Sequence, residues 1–223
     1  MNPTPKLLLA SNSPRRKKLI SLGKWIFTIF PVNIDESRFE NEMPEEHVLR
    51  LAQAKAWAAV KTTGSDTIVL GADTVVVDDP DILGKPNSSE DAVNMLRRLR
   101  GRVHQVYTGI ALLNIQQGKM VTDLCITDVP MRSYTDDEIN AYVSSGDPLD
   151  KAGAYAIQHA GFHPVVNLQG CYASVMGLPL CHIVRTLQRM LVQADPGVAK
   201  ACQEHLNYQC PVSESILNFE RVG

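Results

Sequence analysis

The chain has 223 residues, with 22 Lys and Arg against 24 Asp and Glu and a formal net charge of −2. With 44% hydrophobic and 21% charged residues, it can bury a sizeable core, which excludes wholesale disorder. The charge balance excludes a broadly basic surface that wraps nucleic acid or coats an anionic membrane, but it leaves room for a local cationic pocket.

Near the N-terminus, Lys6 precedes a short apolar run, residues 7–10, which Ser11-Asn12-Ser13-Pro14 ends at once. That run is too short for a signal-peptide core, and no stretch approaches the ~20 apolar residues that span a bilayer. The five cysteines, Cys125, Cys171, Cys181, Cys202 and Cys210, are an odd count in a chain too large to need staples. A reducing cytoplasm is the expected setting.

Strand-like and helix-like segments alternate without an internal repeat, the pattern of an α/β protein. Residues 7–10 read as a buried strand. A helix follows with Ser13 as its N-cap, Pro14 in its first turn and Gly23 beyond its end. Residues 25–32 read as a strand leading to the acidic turn Asp35-Glu36-Ser37, and residues 44–61 as a helix.

Residues 67–77 form a β-rich run that Gly71-Ala72-Asp73-Thr74 interrupts. Residues 89–100 form a helix with acids at its start and arginines at its end, as the helix dipole favours. A long hairpin is expected over 103–115 and 120–133. Thr135-x-x-Glu138 marks a capping box for a further helix. Residues 147–161 read as an irregular working loop, 165–168 and 171–176 as strands, and 180–192 as a last helix. Residues 1–192 are taken as one domain and 193–223 as a polar, weakly patterned tail. In that tail Cys202, His205 and Cys210 lack zinc-finger spacing.

Three features escape a purely local explanation. Arg15 and Arg16 occupy the first turn of a helix, where cations are disfavoured by about 0.3–1 kcal/mol each. A bound phosphate would offset that cost, with Ser11 and Ser13 as added hydroxyl donors, and a solvated basic helix face is the plain alternative. Lys55 falls on the same helical stripe as Leu51, Ala52 and Ala59, opposite Arg50, Gln53 and Trp57. A lysine there either reaches an anion or snorkels past the helix rim. Asp73 breaks an apolar β run, so it is either a turn residue or a carboxylate facing a cleft, with Glu36 as its partner. Paired carboxylates beside phosphate-binding cations point to Mg²⁺ chemistry on a polyphosphate.

These residues fall in blocks that resemble the Maf family of nucleotide pyrophosphatases. The signature 9–16, Leu-Ala-Ser-Asn-Ser-Pro-Arg-Arg, is followed in order by Asp35-Glu36, Arg50-Leu51-Ala52 with Lys55-Ala56, Leu70-Gly71-Ala72-Asp73-Thr74 and Leu83-Gly84-Lys85-Pro86. The run from Asp150 to Gln158 and the run from Gly170 to Pro179 complete the likeness. It covers about residues 6–192.

The resemblance implies an elongated mixed β-sheet with flanking helices and two lobes around a central cleft, as in inosine triphosphate pyrophosphatase. It implies hydrolysis of a nucleoside triphosphate to monophosphate and pyrophosphate, with a divalent cation, Mg²⁺ or Mn²⁺. By the family pattern Asp73 is the proton acceptor, and Arg15, Thr74 and Gln158 match positions linked to substrate choice, in the branch acting on dTTP and UTP. Together with the residue reading, this assigns Ser11, Ser13, Arg15, Arg16, Lys55 and Lys85 to the triphosphate, and Glu36 and Asp73 to the metal. A homodimer is also implied, with no nucleic-acid or membrane partner. The rival readings are a non-catalytic nucleotide-binding regulator of septum formation and a phosphohydrolase acting on a sugar phosphate.

Overall fold

A computed structural model describes residues 6–195 and 197–220. Strand β1 (Lys6–Leu9) buries side chains on both of its faces, as an interior strand must, and is followed by α1 (Pro14–Ile20) and edge strand β2 (Ile26–Ile29). Next come α2 (Pro44–Ala58), β3 (Thr67–Asp78), a short β4 (Asp81–Leu83) and α3 (Ser89–Leu99). The hairpin is β5 (Val103–Asn114) and β6 (Lys119–Pro130). Helices α4 (Asp136–Ser144), α5 (Tyr172–Val175), α6 (Leu180–Arg189), α7 (Val198–Leu206) and α8 (Ser213–Leu217) complete the chain.

The caps form as the sequence requires. The Ser13 hydroxyl accepts from the Arg16 N–H at 3.4 Å, and Thr135 and Glu138 exchange reciprocal bonds at 3.2 and 2.7 Å.

The sheet order is β2-β1-β3-β5-β6, with β4 paired to β3. β1 runs parallel to both β2 and β3, whereas β5 lies antiparallel to its two neighbours, β3 and β6. This is the expected mixed sheet with flanking helices. Helix α2 packs on one face through Ala52 and Ala56, with its C-cap Ala59, against Leu8, Val69, Ala111 and Leu113. Helices α1, α3, α4, α6 and α7 pack on the other face around the main core.

On that second side Arg185 of α6 holds Asp123 of β6 by two bonds of 2.8 Å, both side chains being buried. Removing one member of such a pair strands the other charge away from water. Asp123→Ala is therefore expected to destabilise the fold by about 3–5 kcal/mol, read from urea unfolding.

The structure departs from the sequence expectations in several places. Residues 165–168 are not a strand: only Val165 bridges to Met131, and Asn167 at φ 50° turns the chain away. Residues 171–176 hold helix α5 instead of a strand, its first turn capped by the Cys171 sulfur, which accepts from the Ser174 N–H at 3.4 Å. A short buried run suits either state, and the cap decides it. β2 is shorter than 25–32, and α2 ends at Ala58 before a 3-10 turn, Val60–Thr62. The weakly patterned tail carries α7 and α8, which rest on α6.

Asp73 does not interrupt β3, which runs unbroken through it with Gly109 opposite. The reading of 71–74 as a turn is therefore corrected.

Candidate active site

Two glycines set the distance between α2 and the sheet. A Cβ on Gly71 would lie 2.0 Å from the Ala52 carbonyl oxygen, and one on Gly109 would lie 2.8 Å from that of Val48. Backbone therefore rests on backbone, and Lys55, one turn along α2, is brought down onto β3. Its ammonium lies 2.6 Å from Asp73 Oδ1 and 2.6 Å from Glu36 Oε1. Of the two alternatives for Lys55, the snorkelling one falls: the side chain stays buried and meets two of the protein's own carboxylates. The side chains of Lys55 and Asp73 are 10% exposed, and that of Glu36 is 55% exposed. Burial works to raise the Glu36 carboxyl, but the Lys55 hydrogen bond and the charges of Lys55, Lys85 and Arg16 outweigh it and leave it below the ordinary glutamate range.

On the opposite face of β3, Arg16 is a clamp. Its Nε donates to the Gly177 carbonyl at 2.8 Å, Nη1 to the Ala72 carbonyl at 2.8 Å and Nη2 to Thr74 Oγ1 at 3.1 Å. Thr74 and Thr108 share a hydroxyl contact of 2.9 Å, and Thr108 donates to the Ser174 carbonyl at 2.9 Å. A hydroxyl has one proton, so Thr108, having given its own to Ser174, must accept from Thr74. The chain of donation runs from Arg16 through Thr74 and Thr108 to α5. Gly177, at φ +100°, lets the 176–178 turn close over Arg16. The cations at this helix start thus serve the protein's own carbonyls as well as the space in front of them. Desolvation lowers the Arg16 pKa, and the negative charges of Asp73 and Glu36 act against that shift.

The remaining predicted residues surround the same space. A cleft of about 430 Å³ is lined by Ser11, Ser13, Arg15 and Arg16 on one wall and Lys55, Asp73 and Thr74 on its floor, with Glu36, Lys85 and Gln158 around it. All ten sequence candidates converge there. Ser11 Oγ accepts from the Ser13 N–H at 3.2 Å, so its hydroxyl proton is available to a ligand. Lys55 is held by two carboxylates, whereas Arg15 and Lys85 form no ion pair among the described residues.

Sequence reasoning assigned no role to Lys151, which is buried in the cleft wall. Its ammonium holds the Asp147 carbonyl, Asp147 Oδ1 at 3.1 Å and Asp150 Oδ1 at 2.5 Å. Tyr142 donates to Asp147 Oδ2 at 2.7 Å and accepts from the Ala156 N–H at 3.0 Å. These bonds shape the irregular segment that presents Tyr155, Ala156, Ile157 and Gln158 to the cleft. The clustered acids around Lys151 in Asp147-x-x-Asp150-Lys151 were the available signal.

Behind that wall His104 is buried, with Nε2 2.8 Å from the Tyr155 hydroxyl. Burial pushes its pKa down to about 4 from 6.5. The unfolded chain then binds a proton that the folded chain refuses. The stabilisation is complete above about pH 6.5 and is lost as pH falls towards about 4, with a slope near 1.4 kcal/mol per pH unit. Urea midpoints at pH 7 and pH 5 should show this slope, and His104→Gln should flatten it.

No group of three or more His, Cys, Asp or Glu side chains among the described residues is arranged to hold a metal ion. Two carboxylates do meet at Lys55, and Mg²⁺ commonly takes one or two carboxylates with substrate phosphates completing its shell. The donor set therefore fits a hard divalent cation that arrives with its polyanion.

Fold and cleft together define an α/β protein whose central strand carries Asp73, paired through Lys55 with Glu36 from the β2–α2 loop, beneath a cationic wall. The Maf-like protein family model matches residues 6–190. The dTTP/UTP pyrophosphatase of Geotalea uraniireducens is 42% identical over 190 residues, covering 85% of this chain and 97% of that protein. Those of Dehalococcoides mccartyi strain BAV1 and Bacillus cereus strain G9842 are 43% and 45% identical, over 85% and 82% of this chain and 85% and 95% of theirs. The chain belongs to the Maf family. No helix among the described residues is long and apolar enough to cross a membrane.

Proposed function

We propose that the chain is a nucleoside triphosphate pyrophosphatase that converts dTTP and UTP to the monophosphate and pyrophosphate. The observation that carries this reading is the Lys55 ammonium bridging Glu36 and Asp73 beside the Arg15–Arg16 wall. The relatives' names support the same substrates.

In this reading Arg15, Arg16 and Lys85 face the triphosphate, with Ser11 and Ser13 donating hydroxyl protons to it. Lys55 sets the spacing of the two carboxylates, bonding each at 2.6 Å. Asp73 accepts the proton of the attacking water as its oxygen bonds to the α-phosphorus and pyrophosphate departs. Glu36 and Asp73 would hold Mg²⁺ or Mn²⁺, which supplies positive charge against the phosphate oxygens. Gln158 offers both an amide donor and an acceptor to the pyrimidine edge. Thr74, whose proton is committed to Thr108, contributes shape and a lone pair instead.

The test is a panel of purified nucleoside triphosphates with Mg²⁺ or Mn²⁺, following pyrophosphate and orthophosphate separately. Pyrophosphate should be the primary product, fastest from dTTP and UTP. Orthophosphate as the sole primary product, or binding without turnover, would overturn the reading.

A further inference from the structure

The C-terminal segment beyond the family match docks on the strip that leads into the cleft wall. The Tyr208 hydroxyl lies 3.0 Å from the Leu168 carbonyl and 2.8 Å from that of Gly170, and Cys210 Sγ lies 4.0 Å from the same Gly170 oxygen. The rings of Tyr172 and Tyr208 are 5.5 Å apart. Cys171 and Cys210 line one small cavity together with Cys181 and Cys202. Cys171 directly follows the glycine whose oxygen Cys210 Sγ approaches, which brings the two cysteines to the same edge of that cavity. Cys171 and Cys125 are buried, whereas Cys210 is partly exposed.

We propose that Cys171 and Cys210 are an oxidisable thiol pair whose disulfide ties the C-terminal segment to the wall of the cleft. This assignment is independent of the substrate named above.

The two thiols are unequal in a way that suits the chemistry. The Cys171 thiol lowers the pKa of Cys210, burial opposes it, and the backbone N–H groups of Val212 and Ser213 lower it further. The net shift favours the thiolate at the accessible sulfur. Cys171 is pushed the other way by Cys125, Cys210 and burial, so it stays a thiol. Cys181 and Cys202 are pushed up to about 12, chiefly by burial, and remain inert.

With hydrogen peroxide as oxidant, the Cys210 thiolate takes one peroxide oxygen to give a sulfenic acid and releases hydroxide. The Cys171 sulfur then attacks the sulfenic sulfur. The S–S bond forms, the sulfenic hydroxyl leaves, and the Cys171 proton converts it to water; a further proton neutralises the earlier hydroxide. Two thiols lose two electrons and peroxide gains them.

The consequence reaches the cleft because Cys171 caps α5. Its sulfur accepts the Ser174 N–H, and α5 leads directly to Gly177, whose carbonyl holds Arg16. A sulfur turned towards Cys210 withdraws that cap.

The test uses the full chain, reduced and then exposed to hydrogen peroxide, alkylated, digested and mapped by mass spectrometry. A Cys171–Cys210 linked peptide within one chain is expected. It should be reversed by dithiothreitol and absent from Cys210→Ser, which removes the partly exposed sulfur and leaves the buried cysteines in place. Turnover of dTTP should fall several-fold on oxidation, recover on reduction, and not respond in Cys210→Ser. Recovery of Cys210 as a free thiol or sulfinic acid, or a Cys125–Cys171 link in its place, overturns the pair. A Cys171–Cys210 link with unchanged turnover overturns the connection to the cleft. The peptide map reads the disulfide whether or not the chain hydrolyses dTTP, so failure of the redox pair and failure of the pyrophosphatase reading are separable.

Discussion

Replacing Asp73 with Asn is expected to slow pyrophosphate release from dTTP by roughly 10²–10⁴-fold, the range contributed by a positioned general base. The two side chains have the same shape, and an amide oxygen can still accept from Lys55. Lys55 also keeps Glu36 at 2.6 Å, so no buried ammonium is left without an anion. What the amide lacks is a site to take the proton of water at neutral pH. The loss should therefore lie in kcat at saturating nucleotide and metal, with an unfolding midpoint close to that of the parent chain. Full turnover in a folded Asp73→Asn protein would remove Asp73 from the chemistry. Glu36 adds a pH boundary: its carboxyl lies below its ordinary value, so Glu36 keeps its charge further into acid than a free glutamate does. Its contribution is fully present above the unfolded value of about 4.3 and fades as pH drops through the lower folded value.

Gly71→Ala is expected to cost about 3 kcal/mol or more of stability, at the upper end for overpacking a core. The added carbon would sit 2.0 Å from the Ala52 carbonyl oxygen, and a backbone atom cannot swing aside as a side-chain tip can. The entropy lost by the unfolded chain returns only about 0.4–1 kcal/mol. If the fold survives, α2 must lift from β3 and carry Lys55 with it. Urea unfolding should show the lower midpoint, and kcat/KM of the folded fraction should fall because Lys55 no longer spans both carboxylates. An unchanged midpoint would mean that the helix is not held by this contact.

Much of the site was legible because its residues break local rules. Arg15 and Arg16 violate the dipole preference at a helix start, Lys55 violates its apolar stripe, and Asp73 violates an apolar strand. Violations of this kind are retained where another requirement outweighs them. The sequence erred where two states share one pattern. Gly71-Ala72-Asp73-Thr74 looked like a break in a strand because isolated aspartate is a poor strand former. In the fold its charge is met by Lys55 from a different element, a partner that strand propensity does not encode. Residues 171–176 looked like a strand because a thiol cap is not a recognised helix start. Lys151 stayed without a role because its partners, Asp147 and Asp150, read as ordinary loop acids. The tail helices were missed because their apolar faces are short and rest on α6, a surface that local periodicity does not reveal.

The uneven depth of the charges in the cleft divides how they respond to dissolved ions. Lys55 and Asp73 meet with side chains 10% exposed, where mobile salt does not reach. Lys85 stands in solvent at the cleft's rim, within a region that 0.15 M salt screens over about 8 Å. Under the proposed reading, ionic strength weakens the capture of the triphosphate at the rim and leaves the buried Lys55–Asp73 contact beneath it untouched. On that reading, added salt should change how often the cleft fills more than how fast a filled cleft reacts, because Lys55 and Asp73 meet out of its reach.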